Sequence, residues 1–178
     1  TESQQRVWFE TPEVDRTKMV VVMDVHKTDK EARNTKAEYF DGYMTLTFED
    51  GTVCIINLGD NSTTVDTGTV KFTGQSVTMN DESIMLDHGT YLAANGKEVF
   101  KSEKEMSAVV GKNELGLSTY SDNLITVYTG NDYVTSIDSV TDYNKRPIGK
   151  EYGIVMEDGA LVIAEDGTVS VDGAVTAK

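Results

Sequence analysis

The fold is indicated most clearly by one stretch, Tyr43-Met44-Thr45-Leu46-Thr47-Phe48-Glu49-Asp50-Gly51-Thr52-Val53-Cys54-Ile55-Ile56-Asn57. Apolar and polar side chains alternate from Met44 to Phe48, as they do in a strand with one buried face. Asp50-Gly51 follows, and such a pair favours a tight hairpin turn because Asp tolerates a positive φ and Gly adopts it freely. A second apolar run then returns to Asn57. The stretch predicts an antiparallel β-hairpin.

The same turn chemistry recurs along the chain. Asp-Gly pairs at 158–159, 166–167 and 172–173 separate short Val-, Ile- and Ala-rich runs, which predicts a C-terminal β-meander over 151–178. Gly74-Gln75 lies between two Thr- and Val-rich runs and predicts another hairpin turn. About ten short strands at hairpin spacing predict a mainly β protein with an antiparallel β-sandwich or barrel-like fold.

Two segments depart from this pattern. Thr28-Asp29-Lys30-Glu31 has the spacing of a helix capping box ahead of residues 32–39, and Ser102-Glu103-Lys104-Glu105 precedes residues 106–110 in the same way. A capping box satisfies the first backbone N–H groups of a helix, so the spacing is a start signal. We therefore expect one or two short helices on the surface of the sheet.

The composition describes one acidic globular domain. The 178 residues carry 16 basic and 30 acidic side chains, which gives a formal net charge of −14. Nucleic acid or an anionic membrane surface would require a basic face, so we expect neither as a partner. The single cysteine, Cys54, excludes an intrachain disulfide. We expect a single β-rich domain over residues 17–178.

The first residues form a separate feature. Residues 1–16 are polar apart from Val7-Trp8-Phe9 and one proline, and we interpret them as an N-terminal arm. Such an arm either docks on its own sheet or inserts into a neighbouring subunit, with Val7, Trp8 and Phe9 as the candidate interface residues. No signal peptide and no membrane-spanning run is visible in the sequence, so we expect a protein made in a cytoplasm.

One motif suggests catalysis. Asp66-Thr67-Gly68 resembles the active-site triplet of aspartic proteases, in which two such carboxylates share a proton and activate water. The sequence holds no second Asp-Thr/Ser-Gly copy, so this chemistry would require a symmetric dimer. Asp-Thr-Gly is also ordinary turn sequence. The plain turn is the favoured interpretation.

The other candidate sites are less specific. His26 and His88 are not at a paired-ligand spacing, and Asp87-His88-Gly89 is interpreted as a turn. Loop acids such as Asp60 and Asp132 leave calcium as a minority alternative, because carboxylate oxygens suit that ion. We expect no catalytic residues, no cofactor and no bound metal.

These observations favour a non-enzymatic structural or assembly protein. The most specific expectation is a virion component, such as a phage head-decoration or tail protein, made in the host cytoplasm. Its partners would be capsid or tail proteins, or further copies of the chain in a homo-oligomer. The alternative is a carbohydrate- or peptide-binding β module that uses Tyr-bearing loops after residue 115. A lower alternative is a hydrolase that uses Asp66 or another carboxylate pair.

Overall fold

The computed structural model describes residue 20 and residues 34–112, 114–118, 123–134, 136–137, 139–142, 154–155, 160–163, 169–171 and 174–177. The chain divides into two compact units, Thr1–Ala32 and Arg33–Lys178. All the strands given below belong to the second unit. The predicted arm over 1–16, with Val7, Trp8 and Phe9, lies outside the described residues.

The described residues form β-strands joined by turns and loops, so the prediction of a mainly β protein is confirmed. In chain order the strands are β1 Thr35–Phe40, β2 Tyr43–Phe48, β3 Val53–Asn57, β4 Thr64–Asp66, β5 Val70–Met79, β6 Ser83–Ala94, β7 Lys97–Gly111, β8 Glu114–Leu117, β9 Ile125–Tyr128, β10 Ser136–Ile137, β11 Ser139–Asp142, β12 Ile154–Val155, β13 Ala160–Ile163, β14 Val169–Val171 and β15 Ala174–Ala177.

Most of these strands lie in one sheet. Ten of them follow the order β1-β2-β3-β5-β6-β7-β9-β13-β14-β15, and neighbours in this order are antiparallel. β4 adds to β5 and β8 adds to β7, while β11 pairs with β8 in parallel. β10 and β12 form a separate antiparallel pair. The long strands β5, β6 and β7 are the framework on which the candidate site is built.

The hairpin predicted from residues 43–57 is confirmed. β2 and β3 pair from Tyr43↔Asn57 to Thr47↔Val53. Gly51 has a φ of 84°, and the Thr52 N–H donates to Asp50 Oδ1 at 2.9 Å. The turn therefore depends on the conformational freedom of Gly51 and on the acceptor oxygen of Asp50.

The predicted helices are wrong for the described residues. Residues 35–40 form β1, which pairs with β2 across a turn at Gly42. Residues 102–110 lie inside β7, where Met106, Ala108 and Val110 are buried at every second position. A period of two is that of a strand. Glu103, Lys104 and Glu105 are exposed in the same strand, and Ser102 is buried. The capping-box spacing at 102–105 is therefore coincidental, and the one at 28–31 lies outside the described residues.

The turn predicted at Gly74-Gln75 is also wrong. β5 continues through these residues, with a bulge between Thr73 and Gly74, and Gly74 faces Gly89 of β6. A Cβ built on Gly74 would come within 2.8 Å of the Gly89 Cα. Both glycines are therefore required by a close approach of two backbones inside the sheet, a common role of strand glycines.

The inner face of the sheet forms one apolar cluster. Its members extend from Ile55 on β3 to Leu161 on β13, and the aromatic residues Phe72 and Phe100 are fully buried within it. Along β6, buried Ile84 and Leu86 alternate with half-buried positions that face away from the cluster. The half-buried positions therefore lie on the outer face of the sheet.

Candidate functional site

A groove of about 1030 Å³ opens along β6, β7 and β8. We call it the β6–β8 groove. Its lining includes Met85 and Asp87 of β6, Glu105 and Val109 of β7, and Gly116 of β8. Several of these positions alternate with buried core residues on the same strands, so much of the groove lies on the outer side of the sheet.

The middle of the groove is apolar. Met85 pairs with Val109 in the sheet, and Val109 pairs with Gly116. The Val109 residue is 41% exposed, a high value for an aliphatic residue in the middle of a sheet. A Cβ on Gly116 would stand 3.7 Å from Val109 Cβ, an ordinary contact distance, so the missing side chain leaves room above Val109. Three neighbouring strands thus form a shallow apolar depression.

Asp87-His88-Gly89 lies at one end of the groove and is not a turn between strands. The three residues are inside β6, at a register shift between Leu86 and Gly89 in its pairing with β7. His88 has a φ of 42°, in the left-handed region that non-glycine residues seldom adopt. The strand therefore bulges here, and the His88 side chain, 63% exposed, is directed into the groove lining.

Ser107 of β7 stabilises this bulge. Its Oγ donates to Asp87 Oδ1 at 2.6 Å and accepts the His88 backbone N–H at 3.1 Å. His88 Nδ1 lies 2.9 Å from the same Asp87 oxygen. Ser107 also exchanges two hydrogen bonds with Ser118 beyond β8: its N–H donates to Ser118 Oγ, and its carbonyl accepts the Ser118 N–H, both at 2.9 Å.

This connectivity differs from that of a nucleophilic serine. A catalytic serine hydroxyl gives its proton to an imidazole that a carboxylate orients. Here the Ser107 hydroxyl donates to the carboxylate of Asp87, and the imidazole of His88 bonds to the same oxygen. The arrangement fixes the backbone of the bulge and the shape of the groove end. Sequence reasoning missed Ser107, because no local pattern links it to a residue twenty positions earlier.

The charged groups of the groove are mostly acidic. Four carboxylates line it, those of Glu82, Asp87, Glu105 and Glu114, together with one lysine and one histidine. Glu82 lies just before β6 and Glu114 begins β8, so these two mark one end of the groove. Asp87 and Glu105 mark the end with the bulge. The potential of the groove is therefore negative at both ends and is reinforced by the charge of −14 on the whole chain.

Asp66, the residue that carried the protease resemblance, lies in an exposed turn away from the groove lining. Its Oδ1 accepts the Gly68 N–H at 2.9 Å, and Oδ2 stands 3.5 Å from Lys71 Nζ. The hydrogen bond from Gly68 is the main cause that lowers the pKa of Asp66; desolvation opposes it, and Lys71 lowers the pKa further. The geometry holds Asp66 as an anion, whereas a shared-proton pair requires a carboxyl that retains its proton.

Buried asparagines fix the loops, and sequence reasoning did not identify them. Asn57 is fully buried, and its side chain donates to the carbonyls of Asp60, Thr63 and Gly74 and accepts the Gly59 N–H. Asn131 accepts the N–H groups of two following residues and donates to the Tyr128 carbonyl at 2.8 Å. Such side chains replace the backbone partners that a loop lacks.

The tyrosines of the alternative function are only partly described. Tyr120, Tyr143 and Tyr152 lie outside the described residues. Tyr133 is half-buried, and this burial raises its pKa, with smaller contributions from Asp132 and Asp81. On the outer face, burial and then the charge of nearby Glu98 raise the pKa of both Tyr91 and Tyr128. Two phenols therefore lie near one carboxylate.

Metal ligands do not gather within the part of the chain that the structure describes. No group of three or more His, Cys, Asp or Glu side chains there is placed to hold an ion. Asp132, one of the acids considered for calcium, instead accepts a hydrogen bond from Asn95 Nδ2 at 2.6 Å. Cys54 is partly buried, and burial raises the pKa of its thiol.

Comparison with known proteins adds no further constraint. No protein family, curated protein or solved structure matches the chain. None of the described residues belongs to a helix of the length and apolar character needed to cross a membrane.

Proposed function

We propose that the chain is a non-enzymatic interaction protein whose β6–β8 groove binds a segment of a partner protein. The groove itself carries the proposal. Its volume of about 1030 Å³ is at the upper end of what single ligand sites enclose, roughly 300–1,000 Å³. An apolar centre of Met85 and Val109 within a charged rim is also the arrangement of a protein interface.

The polar cluster at the groove end supports binding over catalysis. The side chains of Asp87, His88 and Ser107 hydrogen-bond one another, and Ser107 also hydrogen-bonds the backbone of the bulge. In the described residues, every buried side-chain nitrogen or oxygen has a hydrogen-bond partner. Groups that are held in this way shape a surface and present a fixed pattern to a partner.

The partner proposed from the sequence is another component of the same particle, with the chain acting as a virion protein such as a head-decoration or tail protein. An acidic protein built from hairpins, with exposed strand surface to be covered on assembly, supports this setting. We also propose that the sheet closes as a sandwich or barrel. One cluster that reaches from Ile55 to Leu161 supports such closure, because a flat sheet does not bury its own face.

Site-specific cross-linking tests the proposal. A photoreactive benzoylphenylalanine replaces Val109 in the groove, and the matched control carries it at Glu103, an exposed position of the same strand outside the lining. After irradiation in the cells that make the protein, the Val109 protein should give one adduct of defined mass, identified by mass spectrometry. Equal adducts at both positions, or none at Val109, would overturn the groove as the contact surface.

Light scattering on a sizing column, over a tenfold concentration range, identifies a second copy as the partner. A closed oligomer that loses mass when Gly116 is changed to Val would make the groove a self-assembly surface, because the new side chain occupies the depression above Val109. A monomer at every concentration would mean that the partner is a different protein and not a second copy of this chain. An oligomer that Gly116→Val leaves intact would contradict self-assembly through the groove.

A carbohydrate- or peptide-binding module is the second candidate, and one observation favours it. Tyr91 and Tyr128 lie near the Glu98 carboxylate, close enough that its charge raises the pKa of both phenols. Aromatic faces beside hydrogen-bonding groups are suited to sugar rings. A glycan array probed with the protein and with a Tyr91→Ala/Tyr128→Ala variant tests this candidate. Saturable binding that the variant loses would support it, and a negative array would exclude it.

A further inference from the structure

We propose that the β6–β8 groove selects an extended cationic segment of a partner protein, with basic side chains at both ends of a small apolar residue. This proposal rests on the interaction function proposed above and adds the chemistry of the ligand. It combines three properties of the groove: its length, the apolar depression at its centre and the carboxylates at its two ends.

The length of the groove suits about five extended residues. On one face of β6 its lining runs through Ser83, Met85 and Asp87, four steps along the strand, and His88 follows at the bulge. At ~3.4 Å per residue this distance is about 14 Å. In an extended ligand, residues 1, 3 and 5 point to the same side and are spaced to reach one end, the centre and the other end.

The centre favours a small apolar side chain. Met85 and Val109 provide the contact surface, and Gly116 leaves the space beside them. A valine-sized group would cover the exposed part of Val109. An aromatic group would have to displace Thr141 of β11, which lines the same depression and lies 3.8 Å from a Cβ placed on Gly116. The shape therefore favours a branched aliphatic residue.

The ends favour positive charge. Glu82, Glu105 and Glu114 are exposed, and none of them is among the ion pairs formed between described residues. Asp87 is already bonded to Ser107 and His88, so it contributes charge but not a free oxygen pair. Lys112 lies near Glu82 and Glu114 and reduces the charge at that end. The end with Glu105 is therefore the stronger cation site.

A protein segment fits these properties better than a free polyamine does. A polyamine would use the carboxylates alone, whereas the depression between Met85, Val109 and Gly116 offers apolar contact only to a branched side chain. The two sources of positive charge are therefore separable by experiment. The matched probes are the peptide acetyl-Lys-Thr-Val-Thr-Lys-amide, its Glu-for-Lys counterpart, an isomer with the lysines at positions 2 and 4, and spermidine.

Titration of the ¹⁵N-labelled protein by NMR locates and ranks these probes. The Lys peptide should shift the amide signals of Met85, Val109 and Gly116 and bind at least tenfold more tightly than the other three probes. Higher salt should weaken it, because the attraction at the ends is screened. Equal binding by spermidine or by the Glu peptide, or shifts outside the groove, would overturn the proposal.

Two variants and one control complete the test. Glu82→Gln/Glu105→Gln/Glu114→Gln should lower the affinity for the Lys peptide about tenfold, or ~1.4 kcal/mol, and Gly116→Val should abolish central contact. The control Glu38→Gln/Glu49→Gln/Glu103→Gln removes the same charge outside the lining and should retain the affinity. An equal loss of affinity in the control would show that only the net charge of the protein matters, and it would overturn binding at the groove.

The outcomes also separate this proposal from the function on which it rests. A defined adduct at Val109 together with no preference for the Lys peptide would overturn the cationic ligand and leave the interaction function standing. Absence of both the adduct and the peptide binding would overturn both. Peptide binding without an adduct would support the ligand chemistry and contradict use of the groove in the cell.

Discussion

Two short segments of this chain have nearly the same composition and opposite structural roles. Asp66-Thr67-Gly68 and Asp87-His88-Gly89 both begin with Asp and end with Gly. The first connects the end of β4 to β5, and the hydrogen bonds of Asp66 and Thr67 reach residues no more than three positions away. The ion-pair partner of Asp66, Lys71, is five positions away. The second lies inside β6, and its bonds reach Ser107 on the next strand.

The difference shows which polar motifs can be recognised locally. In the first segment the left-handed residue is Gly68, with a φ of 84°, so the conformation costs little. In the second it is His88, and the cost of a left-handed side-chain residue is offset by hydrogen bonds from the neighbouring strand. Asp66-Thr67-Gly68, which resembles a catalytic triplet, is a locally hydrogen-bonded turn. Asp87-His88-Gly89, which is interpreted as a turn from its sequence alone, borders the groove.

The largest expected difference in unfolding free energy is between alanine substitutions of Gly89 and of Gly68. A Cβ on Gly89 would collide with the Thr73 carbonyl oxygen and stand 2.8 Å from Leu86 Cδ1, whereas a Cβ on Gly68 would meet nothing within 4 Å. Gly89→Ala should therefore lower the free energy of unfolding by about 3 kcal/mol, because two packed backbones must separate. Gly68→Ala should lower it by about 1 kcal/mol, the cost of a left-handed alanine. Urea unfolding followed by circular dichroism measures both.

The expected order of the two variants is the informative result. A smaller loss for Gly89→Ala than for Gly68→Ala would mean that β5 and β6 separate easily at the bulge. The shape of the groove end would then be adaptable, and the comparison between a rigid bulge and a local turn would fail. Gly116→Ala serves as the control, because its new Cβ would make only contacts of 3.7 Å or longer.

The second-largest expected change in unfolding free energy compares the two hydroxyl groups that stabilise these segments, Ser107 for the bulge and Thr67 for the turn. Ser107→Ala removes one hydrogen bond to the Asp87 carboxylate and one from the His88 N–H, and we expect a loss of about 2 kcal/mol in unfolding free energy. Thr67→Ala removes local bonds to Val70 in an exposed turn and should cost about 1 kcal/mol or less. Thermal and urea unfolding of both variants give the comparison.

A double-mutant cycle with Asp87→Ala tests whether the cost of Ser107→Ala comes from the hydrogen bond between the two side chains. The two changes should be clearly less than additive, because each one removes the same 2.6 Å hydrogen bond. Full additivity would show that the cost of Ser107→Ala comes from the lost acceptor of the His88 N–H and not from the hydrogen bond to Asp87. Amide shifts of Glu105 and Val109 in Ser107→Ala report in addition whether the groove changes shape.

The parts of the fold that could be predicted are those set by neighbours in sequence. The β2–β3 hairpin follows from the alternation of residues 44–48 and from Asp50-Gly51, which are close neighbours in sequence. The false helix over 106–110 arose from the same local reasoning, because Ser102 and Glu105 match a capping box whether or not a helix follows. Pairing of Lys97–Gly111 with β6 outweighs that local preference.

The candidate site could not be predicted because its contacts join residues that are distant in sequence. Gly74 meets Gly89, Ser107 meets Asp87, and Asn57 reaches the Gly74 carbonyl across 17 positions. The register of three strands must be known before any of these pairs is visible, and a shift by one residue would turn Met85 toward the core. Asp87-His88-Gly89 was the only local signal of the site.

The smallest expected effect concerns the charge of Asp66. The fold lowers the pKa of this carboxyl from 3.8, chiefly through the Gly68 N–H, so the folded state favours the anion. The resulting stabilisation is present above the ordinary pKa and is lost as the pH falls through the lowered one. Asp66→Asn keeps an acceptor for Gly68 without the charge, so it should lack this small stabilisation at neutral pH and match the parent in acid, which flattens the acid side of the stability profile. An NMR pH titration of the Gly68 amide measures the pKa directly.

Asp66→Ala is the matched control, because it removes the acceptor oxygen together with the charge. It should loosen the turn at every pH, whereas Asp66→Asn should differ from the parent only above the ordinary pKa of the carboxyl. A Gly68 amide that titrates above 3.8 would reverse the sign of the shift. Asp66 would then retain its proton as one member of a shared pair does, and the resemblance to aspartic proteases would again need a second Asp66, supplied by another copy of the chain. A titration below 3.8 instead keeps Asp66 as the anion of a hydrogen-bonded turn and removes the basis of that resemblance.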